Sequence, residues 1–327
     1  MFVALLMVGC GGEGQNPEDS NDTGNNASAL APPVAQPVKA PFVDKWAEWE
    51  ANPEPYGGPE VLAKIKEAKE SNDTYLNLDN IRRLYNQITD LTPLAELTNL
   101  ESLHLSHNQI SDLTPLKGLT KLKSLSLDGN QISDLSPLAG LTNLEWLHLG
   151  GNQITDLSPL AGLTKLRNLM LGKNKITDVS PLKGLTKLTS LSLYDNEITD
   201  VSPLKGLTKL KTLSPSRNQI SDVSPLKGLT NLKRLALNGN EISDVSPLKG
   251  LTNLTSLSLT KNQISDVSPL KGLTNLTSLS LSETQISEVS SLAGLTNLES
   301  LFLEKTQISE DQKAMLRKAL PDCDITF

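Results

Sequence analysis

One interval governs this chain. Asn86, Asn108, Asn130, Asn152, Asn174, Asn196, Asn218, Asn240 and Asn262 stand 22 residues apart, and Thr284 and Thr306 continue the series. The neighbours return with them. Leu103-His104-Leu105-Ser106-His107-Asn108-Gln109-Ile110 comes back as Leu125-Ser126-Leu127-Asp128-Gly129-Asn130-Gln131-Ile132. A fixed period of this length means stacked coils, in which each unit contacts only its neighbours.

A single coil can be read residue by residue. Leu103 and Leu105 alternate with His104, so a short strand points both leucines to one face. Ile110, Leu113, Leu116, Leu119 and Leu122 complete the inward set. One coil buries too little to offset the entropy of ordering its residues, so the array is the folding unit. The Asn follows the strand, where backbone groups turn inward without ladder partners. Its carboxamide offers both donors and an acceptor, and a buried orphan costs about 1–3 kcal/mol. Repetition predicts a ladder of inward Asn along the array. On the far side, Ser/Thr-Pro-Leu reads as a turn start, with Ser or Thr as N-cap and Pro in the first helical position. Gly118 and its equivalents through Gly294 end it. Too few residues remain for an α-helix, so a 3₁₀ turn is expected. The fold class is an α/β solenoid, with a parallel β-sheet on the concave face and 3₁₀ turns on the convex face.

The form L-x-x-L-x-L-x-x-N-x-I-x-D-[LV]-x-P-L-x-x-L resembles the bacterial leucine-rich repeats of the internalin type. The resemblance covers residues 81 to 308, about 70% of the chain. It implies a right-handed superhelix that binds other molecules, usually proteins, on its concave face. Internalins usually carry an immunoglobulin-like domain and a surface anchor after the repeats; residues 309–327 resemble neither.

Before the repeats, residues 1–10 are apolar and end in Met7-Val8-Gly9-Cys10. They are too short to span a bilayer. They resemble the end of a bacterial lipoprotein signal peptide with its lipobox, which implies lipidation at Cys10 and a location in the bacterial cell envelope. Residues 11–40 are rich in Gly, Asn, Ser, Ala and Pro and read as a disordered tether. Residues 41–75 read as a helical N-terminal cap, with Trp46 and Trp49 in its core and Val61, Leu62, Ile65 and Ala68 on one helix face. The repeats run from 76 to 308. Leu76-Asn77-Leu78 resembles the first strand, and Ile81–Tyr85 is either an insertion or a further degenerate coil. Pro215 stands where Leu105 stands in its coil and removes a ladder donor, predicting a local kink or gap. Residues 309–327 form the C-terminal cap. Ser309-Glu310-Asp311-Gln312 is a capping box, followed by a helix that turns Met315, Leu316, Ala319 and Leu320 inward. Cys323, Ile325 and Phe327 then close the core, Cys323 as a buried small hydrophobe.

The concave face consists of the sixth, fourth, second and first residues before each ladder Asn. Most are small and polar, such as Ser124, Ser126, Ser190, Ser192, Ser256 and Ser258. The exceptions define a candidate ligand-binding patch of His104, His107, Trp146, His148, Met170, Tyr194, Arg217 and Arg234. Phe302 lies at the far end. Gly150, Gly151 and Gly172 lie beside the patch, leaving room for a partner to approach. Large aromatic side chains among small ones are what binding hot spots look like.

A non-enzymatic, surface-tethered module that recognises a protein partner fits this face. A binder of cell-wall glycan or another envelope component, stacking on Trp146 and Tyr194, is the alternative. A third class, an enzyme using the histidines, is disfavoured. His104 and His148 lie two coils apart, about 9.6 Å at 4.8 Å per strand, whereas zinc gathers its ligands within about 2 Å. No catalytic, metal or cofactor site is therefore assigned. The net charge of −7 disfavours a nucleic-acid partner. Two cysteines give no disulfide framework. Lys117, Lys183, Lys205, Lys227, Lys249 and Lys271, and the Asp column from Asp90 to Asp266, read as solvated, turn-capping positions. The chain is expected to act as a monomer.

Overall fold

The computed structural model describes residues 44–79 and 87–327. Cys10, the tether, residues 41–43 of the cap, Ile81–Tyr85 and Asn86 lie outside the described residues.

Every coil contributes one three-residue strand. These are β1 (Tyr75–Asn77), β2 (Ser102–His104), β3 (Ser124–Ser126), β4 (Trp146–His148), β5 (Asn168–Met170) and β6 (Ser190–Ser192). They continue as β7 (Thr212–Ser214), β8 (Arg234–Ala236), β9 (Ser256–Ser258), β10 (Ser278–Ser280), β11 (Ser300–Phe302) and β12 (Asp324–Thr326). The twelve pair in sequence order and in parallel, forming one open sheet. This is the leucine-rich-repeat solenoid: sheet on one face, short 3₁₀ turns on the other, all inward leucines between. In the central coils those leucines have no measurable exposure, as at Leu169, Leu191 and Leu204.

The first pairing resolves the irregular coil. Leu76 stands directly opposite Leu103, 27 positions on, so the extra residues are an insertion within one coil. The strand is Tyr75–Asn77, one residue earlier than the Leu-x-Leu pattern placed it, although the Leu78 amide still donates to the His104 carbonyl at 2.8 Å. At Pro215 the sheet thins without losing register. β7 and β8 share two residue pairs, Thr212 with Arg234 and Leu213 with Leu235, where neighbouring strands share three. The missing bond is the one that the ring nitrogen cannot donate.

Each described ladder Asn is buried and bonds at least three backbone groups. Asn174 is representative. Its Nδ2 donates to the carbonyls of Leu171 in its own coil and Leu149 in the preceding one, both at 3.0 Å. Its Oδ1 accepts the Ile154 amide at 3.0 Å. The same three bonds recur at Asn108, Asn130, Asn152, Asn196, Asn218, Asn240 and Asn262. Thr284 supplies only one, from its hydroxyl to the Leu281 carbonyl.

The 3₁₀ turns are capped by Asp rather than by the Ser or Thr that opens them. The N-cap position is Leu or Val, with no side-chain bond. Asp156 Oδ1 accepts the Ser158 amide and its Oδ2 the Ser158 hydroxyl, at 2.8 and 2.7 Å. The amide bond recurs from Asp90 to Asp266, and Glu288 takes over at Ser290. A short carboxylate two residues upstream closes this local turn better than a hydroxyl already inside the helix.

Helices cover both ends. α1 (Lys45–Ala51) and α2 (Pro59–Glu70) form the N-terminal cap. Trp49 is buried, with Trp46 edge-on at 4.9 Å. Val61, Leu62, Ile65 and Ala68 are all buried, and Val61, Ile65 and Ala68 join the solenoid core. At the other end, α3 (Glu310–Ala319) begins with Ser309 accepting the Gln312 amide. The reciprocal half of the capping box is not made. Gln312 reaches instead to the preceding coil, accepting the Val289 amide and donating to Glu288, both at 3.1 Å. The side chain thereby fastens α3 to the last turn. Leu316 and Leu320 are buried, and Met315, Ala319, Ile325 and Phe327 pack half-buried against the core. Cys323 is not fully buried as expected, because β12 is the last strand and leaves one flank open. Partial burial, with Asp324 beside it, raises the Cys323 thiol pKa.

Candidate binding face on the sheet

The register turns the face into columns. The first strand position reads Tyr75, Ser102, Ser124, Trp146, Asn168, Ser190, Thr212, Arg234, Ser256 and onward. The third position reads Asn77, His104, Ser126, His148, Met170, Ser192 and onward. Trp146 and His148 therefore share one strand, and Met170 stands directly opposite His148. These three are contiguous. Trp146 is 43% exposed in a column otherwise filled mainly by Ser and Thr.

Tyr75 belongs to this face and is 54% exposed, more than Trp146. It occupies the same column three strands away, and its ring lies 5.5 Å from that of His104. Sequence reasoning missed it because the insertion breaks the 22-residue count. The signal was its place immediately before Leu76, which matches Trp146 before Leu147.

Each strand histidine sits between a carboxylate and a polar neighbour. His104 Nδ1 is 3.8 Å from Asp79 and its Nε2 is 3.2 Å from the Ser102 hydroxyl. His148 Nδ1 is 3.8 Å from Asp128 and its Nε2 is 3.2 Å from the Asn168 side-chain oxygen. Asp128 also accepts the Gly150 amide of the following coil at 2.7 Å, so its contacts are to His148 and to that coil's backbone. Among the described residues no three His, Cys, Asp or Glu side chains converge as metal ligands.

The residue before each ladder Asn adopts a left-handed backbone. His107, Lys173, Asp195, Arg217, Lys261, Glu283 and Lys305 do so, with Gly129, Gly151 and Gly239 at the same position. Gly151 is thus set by the turn rather than by an approaching ligand. The other two patch glycines do not open space either. A Cβ at Gly172 would overlap the Tyr194 ring, and one at Gly150 would come within 2.9 Å of Asp128. They admit the protein's own side chains. The Tyr194 ring lies over Gly172, and His107 and Arg217 lie over Gly129 and Gly239. Arg234 is exposed, four strands from Trp146 in the same column.

The coil geometry, strand then buried Asn then 3₁₀ turn every 22 residues, defines the leucine-rich-repeat proteins, and the chain belongs to that family. Family models described as "Leucine Rich repeats (2 copies)" match residues 98–140, 142–184, 186–228, 213–250 and 230–272, and "Leucine rich repeat" matches 252–308. Within the family it is internalin-like. An internalin (inlF) of Listeria monocytogenes is 41% identical over 74% of this chain and 74% of its own, with a TM-score of 0.70. Internalin C2 of the same organism is 42% identical over 63% of this chain and 94% of its own, with a TM-score of 0.59. A leucine-rich-repeat protein of Leptospira interrogans is 29% identical over 79% and 74%, with a TM-score of 0.70. No curated protein matches the chain.

Proposed function

We propose that this chain is a non-enzymatic binding module of the bacterial cell envelope. It takes a protein partner on its sheet face and is held to the membrane by a lipid on Cys10. The observation that carries the reading is Trp146, a large apolar side chain left 43% exposed where the repeat places Ser. Folding gains nothing from an exposed indole at that position, whereas a central aromatic anchor is a frequent hot spot. His148 and Met170 extend the patch, and Tyr75 adds a second exposed ring in the same column. The likeness to internalins supports a module of this kind.

The test is affinity capture with the chain from residue 41, wild type against Trp146→Ala. Truncation should weaken partner binding by about 2 kcal/mol or more, and Ser256→Ala should leave it unchanged. A partner held equally well by Trp146→Ala removes this patch from consideration. For the anchor, wild type and Cys10→Ser are fractionated; a wild type found only in the soluble fraction ends that part of the proposal.

A further inference from the structure

One stretch of the solenoid's flank keeps its cross-coil backbone bonds but lacks the cross-coil side-chain bonds that the repeat makes elsewhere. The side chain just before the strand bonds the preceding coil at five positions. Lys123 pairs with Glu101 at 2.8 Å and Arg167 with Glu145 at 3.1 Å. Thr189, Thr255 and Thr277 each donate to a carbonyl of the preceding coil. Lys211 and Lys233 stand next to each other in this series, both exposed, and neither has a carboxylate partner among the described residues. Two residues upstream the pattern repeats. Asn143, Asn231, Asn253, Asn275 and Asn297 each donate to a Thr carbonyl of the preceding coil at 2.8–2.9 Å. Lys165, Lys187 and Lys209 occupy that position in the intervening coils. Lys165 donates instead to the Asn143 side-chain oxygen at 2.7 Å, and Lys187 and Lys209, each with a Lys at that position in the coil before, make neither bond. Arg234, exposed on the strand itself, adjoins Lys233.

Five cations thus gather over neighbouring coils of a chain whose net charge is −7. Strands about 4.8 Å apart hold them against mutual repulsion. The positions could carry Asn or Thr with a gain in hydrogen bonding, as the rest of the array shows. Local rules broken without a structural return mark sites kept for something else.

We propose that Lys187, Lys209, Lys211, Lys233 and Arg234 form a docking surface for an acidic polypeptide segment. This deepens the proposed function and rests on it: the partner anchored at Trp146 carries carboxylates that reach this flank. Arg234 shares the Trp146 column four strands away, about 19 Å at that spacing, so one partner spans both. The cations run from the flank onto the sheet. That geometry follows a chain bent round an edge and does not present one plane to a bilayer. Arg at the inner end offers a bidentate fork to a carboxylate.

The probe is fluorescein-labelled poly-L-glutamate, read by anisotropy at low salt with the full chain. Wild type binds, and binding falls steeply as salt rises. Lys211→Glu/Lys233→Glu/Arg234→Glu weakens it by about tenfold or more, whereas Lys183→Glu/Lys249→Glu/Lys271→Glu, with the same change in net charge, stays within about twofold. Lys187→Asn/Lys209→Asn gives an independent reading: it raises the urea midpoint by restoring the cross-coil bonds and still lowers binding. Trp146→Ala leaves poly-L-glutamate binding unchanged, so failure here is distinguishable from failure of the aromatic site. Equal losses in the two triple variants, no binding by wild type, or tighter binding to polyphosphate or to anionic phosphatidylglycerol vesicles than to poly-L-glutamate overturns the proposal.

Discussion

The Asn174 carboxamide bonds the Leu149 carbonyl of the preceding coil at 3.0 Å, the length of its bond to Leu171 in its own coil. One side chain therefore closes its own turn and fastens it to the preceding coil. Asn174→Ala should cost about 1–3 kcal/mol by leaving buried backbone groups without partners. Lys183→Ala, on an exposed turn, should change stability by less than about 0.5 kcal/mol. Urea melts of the two variants decide; equal midpoints contradict a structural ladder.

The ladder weakens toward the C-terminus, and that weakness can be repaired. Thr284 is buried and bonds only Leu281. The Ile264 amide, whose equivalents each receive an Asn oxygen, receives none from it. Thr284→Asn should stabilise the protein by about 1 kcal/mol, the net worth of a typical buried hydrogen bond. A lower urea midpoint for the variant would show that the terminal coil cannot accommodate the carboxamide.

Much of this was legible because the repeat states it many times. The strand, the inward Asn and the 3₁₀ turn each follow from a local pattern that tertiary context cannot override, since every coil has the same context. What escaped were features set between coils. Tyr75 was hidden because an insertion broke the count that identifies its equivalents. The glycines beside the patch look like open space in one dimension. In three, Gly172 lies under Tyr194 and Gly151 answers a left-handed turn. Gln312 matches a capping box locally, yet a stronger demand from the Val289 amide draws it away. The cationic flank also emerges only when residues 22 positions apart are compared for the bonds they make.

Acid should loosen the turns. Amide and hydroxyl donors from Ser158 and Ser268 hold the Asp156 and Asp266 carboxyls below their ordinary pKa. A folded-state pKa below the unfolded value means that the unfolded chain binds protons first. The stabilisation is therefore complete above the ordinary carboxylate range, near about 4, and is lost as pH falls through the depressed folded values. Urea midpoints should drop between neutral pH and pH of about 3, and Asp156→Asn/Asp266→Asn should show a smaller drop than wild type. An undiminished drop in the double variant assigns the acid sensitivity elsewhere.

The left-handed turn position discriminates among substitutions. Gly151 has φ of 66° in a column where Asp195 and His107 adopt the same region. Gly151→Ala should destabilise by about 1 kcal/mol, since a β-carbon clashes in that region. Gly151→Asn should lose less, because Asn tolerates left-handed geometry. Chemical denaturation ranks the three residues, and Ala equal to Gly contradicts the strained turn.

Trp146 can be read directly by fluorescence. The chain has three tryptophans: Trp49 is 6% exposed, Trp46 packs beside it against the N-terminal cap, and Trp146 is 43% exposed on the sheet. Acrylamide should quench a red-shifted component that belongs to Trp146, and Trp146→Phe should remove that component while leaving the blue-shifted emission of the cap. The urea midpoint of Trp146→Phe should stay within about 0.5 kcal/mol of wild type, as expected for an exposed position. Quenching that persists in Trp146→Phe would mean that the cap opens to solvent and that the sheet-face indole is not the accessible one. A partner seated on the patch should in turn protect Trp146 from acrylamide and shift its emission to the blue, since burial replaces water around the ring with apolar groups. The cap tryptophans should not respond.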